Sequence, residues 1–243
     1  MLERTFIHIQ GIGLKTEQNL WKRGFRCWDD FIERREIVFS PERDAFIEEE
    51  LRDSRANIGN IAFFKERLSA HEMWRLYSTF ESEVVFLDIE TNGGFDEITL
   101  IGLYDGQTAR TFINGQNLQE FETAVADFKL VVTFNGSSFD LPIIRRSFPG
   151  ITLPVAHIDL RFLLRKLGLK GGLKSIEEQL AIRREPEVRG LGGFDAIWLW
   201  QAYQAGDRNA LERLIRYNTA DIVNLKPLLL HGCAEMKKTL LTA

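Results

Sequence analysis

The spacing of apolar residues changes near residue 82, and this change divides the chain into two regions. Residues 1–80 carry helix-start signals and few strand-like runs. Beyond them, short apolar runs are separated by turn residues, which is the pattern of β-strands. We therefore predict a smaller N-terminal helical domain over residues 1–80 and a larger, sheet-containing domain over residues 81–243.

The second region contains short apolar runs with strand character, and they are residues 83–90, 97–104, 109–115, 130–134 and 156–160. Asn92-Gly93-Gly94 separates the first two runs, and Asp105-Gly106 between the next two is a strong hairpin signal. A helix is predicted over residues 118–128, and helical patterns dominate the rest, with a capping box at Ser175 and Glu178 predicting one helix start. Three strands in a meander, followed by alternating strand and helix, predict an α/β fold with a mixed sheet flanked by helices.

The N-terminal region has enough bulky side chains for a core of its own, namely Trp21, Trp28, Phe31, Phe63, Phe64 and Trp74. Ser40-Pro41 is typical of a helix start, and Ser69 with Glu72 fits a capping box. The segment HIQGIGLKTEQNLWKRGF (8–25) resembles half of a helix-hairpin-helix element, whose amides bind a nucleic-acid phosphate. A plain structural turn is the alternative for this segment.

Composition indicates an ordinary globular protein, with 44% hydrophobic and 27% charged residues among 243. The two cysteines, Cys27 and Cys233, have no pairing or metal-ligand spacing, which suits a reducing compartment. We see no signal peptide and no apolar run near the roughly 20 residues of a membrane helix. We therefore expect a cytoplasmic protein that does not bind a membrane.

The charge distribution is more informative than the net charge of −4, which does not favour a nucleic-acid binder. The segment RFLLRKLGLKGGLK (161–174) contains five basic residues and no acidic one. A solvated basic face is one interpretation of this segment, and a track for a phosphate backbone is the other.

Two carboxylates interrupt the first predicted strand, VVFLDIETN (84–92). Side chains alternate along a strand, so Asp88 and Glu90 share one face while Leu87 and Ile89 share the other. Adjacent carboxylates repel each other, and neither ionises readily in a low dielectric without a cationic partner. Either the strand end reaches solvent, or a cation such as a divalent metal ion lies beside it.

Further acidic residues follow on other elements. In LVVTFNGSSFDLP (130–142), a strand turns at Asn135-Gly136 into a helix that Ser137 or Ser138 can cap. Asp140 then falls in the first helical turn, where the helix dipole favours an acid in any case. Asn135 is likewise an ordinary turn residue.

A C-terminal amphipathic helix is predicted over residues 210–229. Tyr217 and Asp221 are four residues apart, so they lie one turn from each other on the same face. They flank the apolar stripe, which places an aspartate at the edge of the core. An exposed aspartate beside a half-buried tyrosine is the simple alternative.

Three motifs in this order, FLDIET, FNGSSFDLP and YNTADIVNL, resemble those of the DEDD superfamily of 3′→5′ exonucleases, which have the ribonuclease H-like fold. The resemblance covers residues 82 to about 230. Because Tyr217 precedes the last acid where other members have histidine, the chain is similar to the tyrosine branch. It most resembles YprB-type ribonuclease H-like proteins, and FNGSSFDLP is also similar to proofreading domains of family B polymerases.

The resemblance implies a site with two divalent metal ions, Mg²⁺ or Mn²⁺, held by carboxylates. It implies that Asp88 binds both ions, that Glu90 and Asp221 complete one site, and that Asp140 binds the second directly or through water. Tyr217, a poor base at neutral pH, would orient the attacking water.

Substrate contacts are also expected from the resemblance. Lys170 and Lys174 are candidates for the phosphate backbone, and Asn135 at the tight turn is a further substrate-binding candidate. Phe95 and Phe139 are candidates for stacking on the terminal base, with a core role as the alternative for each.

The resulting hypothesis is a 3′→5′ exonuclease that hydrolyses single-stranded DNA or RNA from its 3′ end to nucleoside 5′-monophosphates. An endonuclease acting on RNA or RNA–DNA hybrids is the first alternative. A non-catalytic nucleic-acid-binding module is the second, although such a module would be expected to have lost a carboxylate. The sequence does not indicate the oligomeric state.

Overall fold

A computed structural model describes residues 1–93 and 97–242 of the chain. The predicted stacking residue Phe95 and the turn residue Gly94 lie outside the described residues. The chain folds into two compact units: Met1–Glu81 together with Cys233–Ala243, and Ser82–Gly232. No helix in the described part of the chain combines the length and apolar character that crossing a membrane requires.

The first unit is helical, and its α-helices are α1 (Leu14–Lys22), α2 (Trp28–Ile32), α3 (Pro41–Ala56) and α4 (Ile61–Arg67). Short 3₁₀ helices are Leu2–Arg4, Ala70–Leu76 and Glu81–Glu83. All six aromatic residues predicted to form this core are buried. Cys27 and Cys233 form no disulfide.

Of the two helix starts predicted in this unit, the one at Ser40 is confirmed and the one at Ser69 is wrong. Ser40 caps α3, since its hydroxyl accepts a hydrogen bond from the Arg43 amide at 3.2 Å and Pro41 is the first helical residue. The capping box at Ser69 is wrong, because Ser69 precedes a 3₁₀ helix and makes no side-chain cap hydrogen bond. Glu72 instead pairs with the buried guanidinium of Arg75 at 2.8 Å.

The Gly11-Ile12-Gly13 turn opens directly into α1, with Gly13 as the N-cap residue. Gly11 has a φ of +80°, a left-handed conformation that favours glycine. The turn therefore has the local form expected of the sequence. Binding of a phosphate by its amides stays a prediction.

The second unit contains the strands β1 (Val84–Thr91), β2 (Ile98–Tyr104), β3 (Ala109–Ile113), β4 (Leu130–Thr133) and β5 (Ala156–Asp159). Its helices are α5 (Glu120–Ala126), α6 (Asp140–Ser147), α7 (Leu160–Lys166), α8 (Leu173–Gln179), α9 (Gly193–Gln204) and α10 (Arg208–Thr242), the last of which continues into the first unit. The five strands form one sheet in the order β3-β2-β1-β4-β5. The first three strands pair antiparallel, whereas β1 pairs parallel with β4 and β4 with β5. The predicted α/β fold with a mixed sheet flanked by helices is confirmed.

Each face of the sheet is covered by different helices. Val85, Leu87 and Ile89 of β1 belong to a buried cluster with side chains of α5 and α6. Leu100 of β2 belongs to a second cluster on the other face, with side chains of α9 and α10. Because paired residues of neighbouring strands share a face, Asp88 and Glu90 face α9 and α10.

Three predictions of helix boundaries are wrong. Helix α6 begins at Asp140 without a serine cap, because the amide and hydroxyl of Ser137 bond to Asp159 instead. Ser175 lies inside α8, which begins two residues earlier after Gly172 in an extended conformation. Helix α10 passes through Pro227 and ends at Thr242 instead of residue 229. Burial of the Leu228 and Leu229 side chains stabilises this continuation.

Candidate metal centre

Three carboxylates from distant parts of the sequence meet above the sheet. Asp88 and Glu90 project from β1, and Asp221 projects from α10. One carboxylate oxygen of each residue lies within 4.8 Å of those of the other two. Glu90 and Asp221 are buried and Asp88 is half-buried, so the group lies inside the protein beside an opening and not on a solvated strand end. Three oxygen donors at this spacing fit a divalent metal ion.

Asp140 lies close to these carboxylates, but it is not one of the three whose oxygens converge. Its side chain is buried, and Oδ1 accepts a hydrogen bond from the Ile89 amide at 3.1 Å. Strand β1 pairs with β4 only over Val84–Phe86, so the edge of β1 beyond Phe86 needs another partner. Asp140 at the start of α6 supplies that partner and is thereby positioned beside the acidic group.

The pKa values of the carboxyl groups indicate that the acidic group has too little positive charge nearby to keep all its members ionised. Burial, together with repulsion from neighbouring carboxylates, raises the pKa of Asp88 and that of Glu90 well above their ordinary values. Burial also raises the pKa of Asp140, to about 7. A bound cation would reverse these shifts by favouring the ionised carboxylates. The donor set and its charge deficit therefore both fit a divalent metal ion.

Asp221 has a cationic partner that sequence reasoning missed. Arg184 Nη2 donates a hydrogen bond to Asp221 Oδ1. The same guanidinium donates to Glu177 through Nε at 2.6 Å and through Nη2 at 2.7 Å. Burial raises the pKa of Asp221, and the charge of Arg184 opposes that rise.

Asp88 is held by Asn218, which lies one turn before Ile222 on α10. Asn218 Nδ2 donates to Asp88 Oδ2 at 2.9 Å. Gly102 is paired with Asp88 in the sheet register, and a Cβ there would lie 2.0 Å from Asn218 Oδ1. The absence of a side chain at Gly102 is what admits the Asn218 amide beneath Asp88.

Tyr217 is buried in the cluster formed with α9, and its hydroxyl accepts a hydrogen bond from Lys174 Nζ. Lys174 Nζ also lies 4.4 Å from the centre of the tyrosine ring. Burial, followed by the charges of Asp221 and Glu90, raises the pKa of Tyr217, so the phenol stays protonated at neutral pH. Lys174, which was predicted to contact phosphate, therefore lies at the acidic group.

A cleft of about 780 Å³ leads to the acidic group, and both Asp88 and Asp221 line it. The predicted basic stretch contributes four of its five basic residues to the wall, namely Arg161, Arg165, Lys170 and Lys174. The structure thus brings together a row of cations and a group of anions, an arrangement suited to a phosphate-bearing polymer next to a metal ion.

Asn135 lines the same cleft and occupies a left-handed conformation with a φ of +69°. Its amide donates to Asp159 Oδ1 at 2.8 Å, and its side-chain oxygen accepts from Arg161 Nη1. Asp159 also accepts a hydrogen bond from the Ser137 amide at 3.1 Å. Asp159 therefore fixes the turn between β4 and α6, and Asn135 positions an arginine of the cleft.

Phe139 is half-buried against the cluster beneath α5 and α6. Its ring also lines a second, mostly apolar pocket of about 350 Å³ that includes Glu90, Gly193 and Phe194. Two aromatic side chains one turn apart on α9 are unusually accessible, with Phe194 82% and Trp198 68% exposed. Both interpretations of Phe139, core packing and a binding surface, are compatible with its position.

Several residues around the site had no local sequence signal. Glu177 and Arg184 are seven residues apart, across the end of a helix, and nothing in their spacing predicts an ion pair. Asn218 stands between Tyr217 and Thr219, which are also polar, so the sequence does not single it out. Asp159 was detectable, because an acid at the carboxyl end of an apolar strand falls at the same sheet edge as Asn135.

Comparison with known proteins gives a family match over most of the second unit. A family model described as RNase_H superfamily matches residues 85–231, which is more than half of the chain. No curated protein matches the sequence. The solved structure of the family B DNA polymerase from the hyperthermophilic archaeon Pyrobaculum calidifontis is similar, with 16% identity and a TM-score of 0.48 over 63% of this chain and 24% of the polymerase chain. The chain thus spans about a quarter of that polymerase's length.

Proposed function

The chain belongs to the RNase_H superfamily, and on this basis we propose that it is a metal-dependent 3′→5′ exonuclease acting on single-stranded nucleic acid. The proposal rests chiefly on one observation: carboxylates of β1 and α10 converge within 4.8 Å at the end of a cleft lined by cations. Assignment to the tyrosine branch of the DEDD exonucleases is part of this proposal. It is supported by Tyr217 one turn before Asp221.

We assign the metal ligands as Asp88, Glu90, Asp140 and Asp221. Bound Mg²⁺ or Mn²⁺ ions, two in the proposed mechanism, would stabilise the charge that develops on the phosphate and its oxygens. We propose Asp88 as the ligand shared by both ions, since burial and then the charges of Asp140, Glu90 and Asp221 raise its pKa. Asp140, whose Oδ1 accepts a hydrogen bond from the Ile89 amide of β1, would bind the second ion directly or through water.

Tyr217 and Lys174 would act on water and phosphate. The tyrosine hydroxyl accepts from Lys174 Nζ, so its own proton is directed elsewhere and can orient a water molecule beside the carboxylates. Since the pKa of the phenol is raised, Tyr217 orients this water without removing its proton. Lys174 holds the hydroxyl in position and adds positive charge next to the scissile phosphate.

The cleft would bind the substrate backbone through Arg161, Arg165 and Lys170, three cations that line its wall together with Lys174. Asn135 contributes by holding Arg161. The apolar pocket beside Glu90, with Phe139 and Phe194 in its wall, would receive unpaired bases near the 3′ end. Bases stacked inside a duplex cannot enter such a pocket, which favours single strands as the substrate.

The decisive experiment uses single-stranded DNA and RNA labelled at the 5′ end, incubated with the protein in Mg²⁺ or Mn²⁺. We expect a ladder of progressively shorter labelled products together with nucleoside 5′-monophosphates. Asp88→Asn serves as the inactive control, and Asp127→Asn, an exposed carboxylate on another element, serves as the matched control. Discrete internal fragments would indicate an endonuclease. Binding without cleavage in either metal would indicate a non-catalytic module.

A further inference from the structure

Arg184 joins two carboxylates inside the second unit. The Arg184 side chain is 6% exposed, and those of Glu177 and Asp221 are 2% and 7% exposed. Nε and Nη2 contact both oxygens of Glu177, and Nη2 also donates to Asp221 Oδ1. The two hydrogen bonds to Glu177 therefore fix the orientation of the guanidinium plane, and in this orientation Nη2 also donates to Asp221.

The anchor itself is held from α10. Asn224 Nδ2 donates to Glu177 Oε1 at 3.1 Å, and Asn224 lies three residues after Asp221 on the same helix. The contacts close a loop from α10 through Glu177 and Arg184 back to α10. Because Arg184 donates to Oδ1 of Asp221, the lone pairs of Oδ2 stay free of this hydrogen bond and can bind an ion between Asp221, Asp88 and Glu90.

We propose that Arg184, anchored by Glu177, is a positioning residue that orients Asp221 for metal binding. The inference rests on the proposed metal site and adds two residues to it. Carboxylates that bind metal ions are commonly held by such outer hydrogen bonds, whose loss weakens metal binding by about 10- to 100-fold. The planar fork of arginine bonds two carboxylates at once in a defined orientation, which an ammonium group does not reproduce.

A positioning residue raises metal affinity, whereas the positive charge of Arg184 by itself would lower it. A cation beside a metal site repels the metal ion, so a simple counter-ion would weaken metal binding and its removal would strengthen it. A positioning residue does the reverse, because its removal lets the Asp221 side chain leave the productive rotamer. The sign of the change in metal affinity therefore separates the two roles without measuring catalysis.

The test is calorimetric titration of Mn²⁺ into the metal-free full chain and its variants. Arg184→Met should weaken Mn²⁺ binding by about 10- to 100-fold, and Arg184→Lys should also weaken it because the charge remains but the fork is lost. Arg183→Met, an exposed neighbour with the same change in charge, should leave affinity unchanged or slightly raised. If Arg184→Met does not fold, Glu177→Gln tests the same anchor and should weaken binding by a smaller factor.

Wild-type affinity or tighter binding in folded Arg184→Met, or wild-type affinity in Arg184→Lys, would overturn the positioning role. If the Arg184 variants do not fold and Glu177→Gln does, unchanged Mn²⁺ affinity in Glu177→Gln would overturn the positioning role. If the wild type itself binds no Mn²⁺, the proposed metal site fails first and the role of Arg184 fails with it. Because the wild type is titrated in the same series, the two failures are distinguishable.

Discussion

Replacing Gly102 with alanine should damage the acidic site, although this residue has no side chain and no charge. The added Cβ would lie 2.0 Å from Asn218 Oδ1, 3.0 Å from Asn218 Cγ and 3.1 Å from Ile222 Cδ1. The amide must therefore move by roughly 1–1.5 Å to restore ordinary contact. That movement breaks the 2.9 Å hydrogen bond from Asn218 Nδ2 to Asp88.

The expected loss of stability follows from two contributions. Overpacking in a closely packed interior costs about 1–3 kcal/mol. Loss of the hydrogen bond from Asn218 to the Asp88 carboxyl costs a further 0.5–1.5 kcal/mol, roughly. A total of about 2–4 kcal/mol corresponds to a fall in Tm of about 4–16 °C for a chain of this size. Mn²⁺ affinity should fall as well, because Asp88 loses the group that orients it.

Differential scanning calorimetry and Mn²⁺ titration of Gly102→Ala would test this reasoning. Gly59→Ala, in the first unit, is the control, since a Cβ at that position meets nothing within 4 Å. The double variant Gly102→Ala with Asn218→Ala should be less destabilised than the sum of the single variants, because the clash is removed. Strict additivity, or a Gly102→Ala protein with wild-type Tm and metal affinity, would refute the proposed clash.

Three other predictions concern the carboxylates and the tyrosine. Millimolar Mn²⁺ or Mg²⁺ should raise the Tm of the metal-free wild type but not that of Asp88→Asn, because the metal ion relieves repulsion within the acidic group; equal shifts in both proteins would contradict the assignment. Because the pKa of Asp140 is raised from 3.8 to about 7, the metal-free native state binds more protons than the unfolded state between these values, so this group destabilises the protein increasingly as the pH rises. Asp140→Asn should therefore gain stability over the wild type between pH 5 and pH 8 in EDTA, by about 1.4 kcal/mol per pH unit up to pH 7 for the Asp140 proton alone. Loss of the Asp140 charge also lowers the pKa of Asp88, which adds to this gain. The buried His8 and His157 titrate alike in both proteins, so their contributions cancel in the difference in unfolding free energy. If that difference, measured by urea unfolding, does not change with pH, Asp140 does not titrate in this range. Tyr217→Phe should keep metal affinity and stability, because its ring still packs in the cluster with Leu214, while single-turnover cleavage falls by about 10²–10³-fold. Asp221→Asn should lose metal affinity and rate together, and equal metal loss in both variants would exclude the water-orienting role of Tyr217.

Much of the sheet was predictable because its strands are short apolar runs between turn residues. The alternation of β1 placed Asp88 and Glu90 on one face, and the four-residue spacing placed Tyr217 and Asp221 on one side of α10. These are consequences of local backbone geometry, which a sequence pattern reports directly. The start of α6 was not predictable, because Ser137 bonds to Asp159 instead of capping the helix. The start of α8 was not predictable, because the helix begins after Gly172, before Ser175.

The sequence by itself determined the periodicities, and with them which carboxylates share a face of a strand or a turn of a helix. It also indicated a mixed sheet, because a strand meander and a strand–helix alternation require different pairings. Only the tertiary structure decided that α10 crosses the face of β1 that carries Asp88 and Glu90, bringing Asp221 to them. It alone placed Arg184 and Asn218 against those carboxylates and left Gly102 as the gap that admits the amide. These contacts join residues about 37 to 130 positions apart, and no local preference of the chain encodes a distance between such residues.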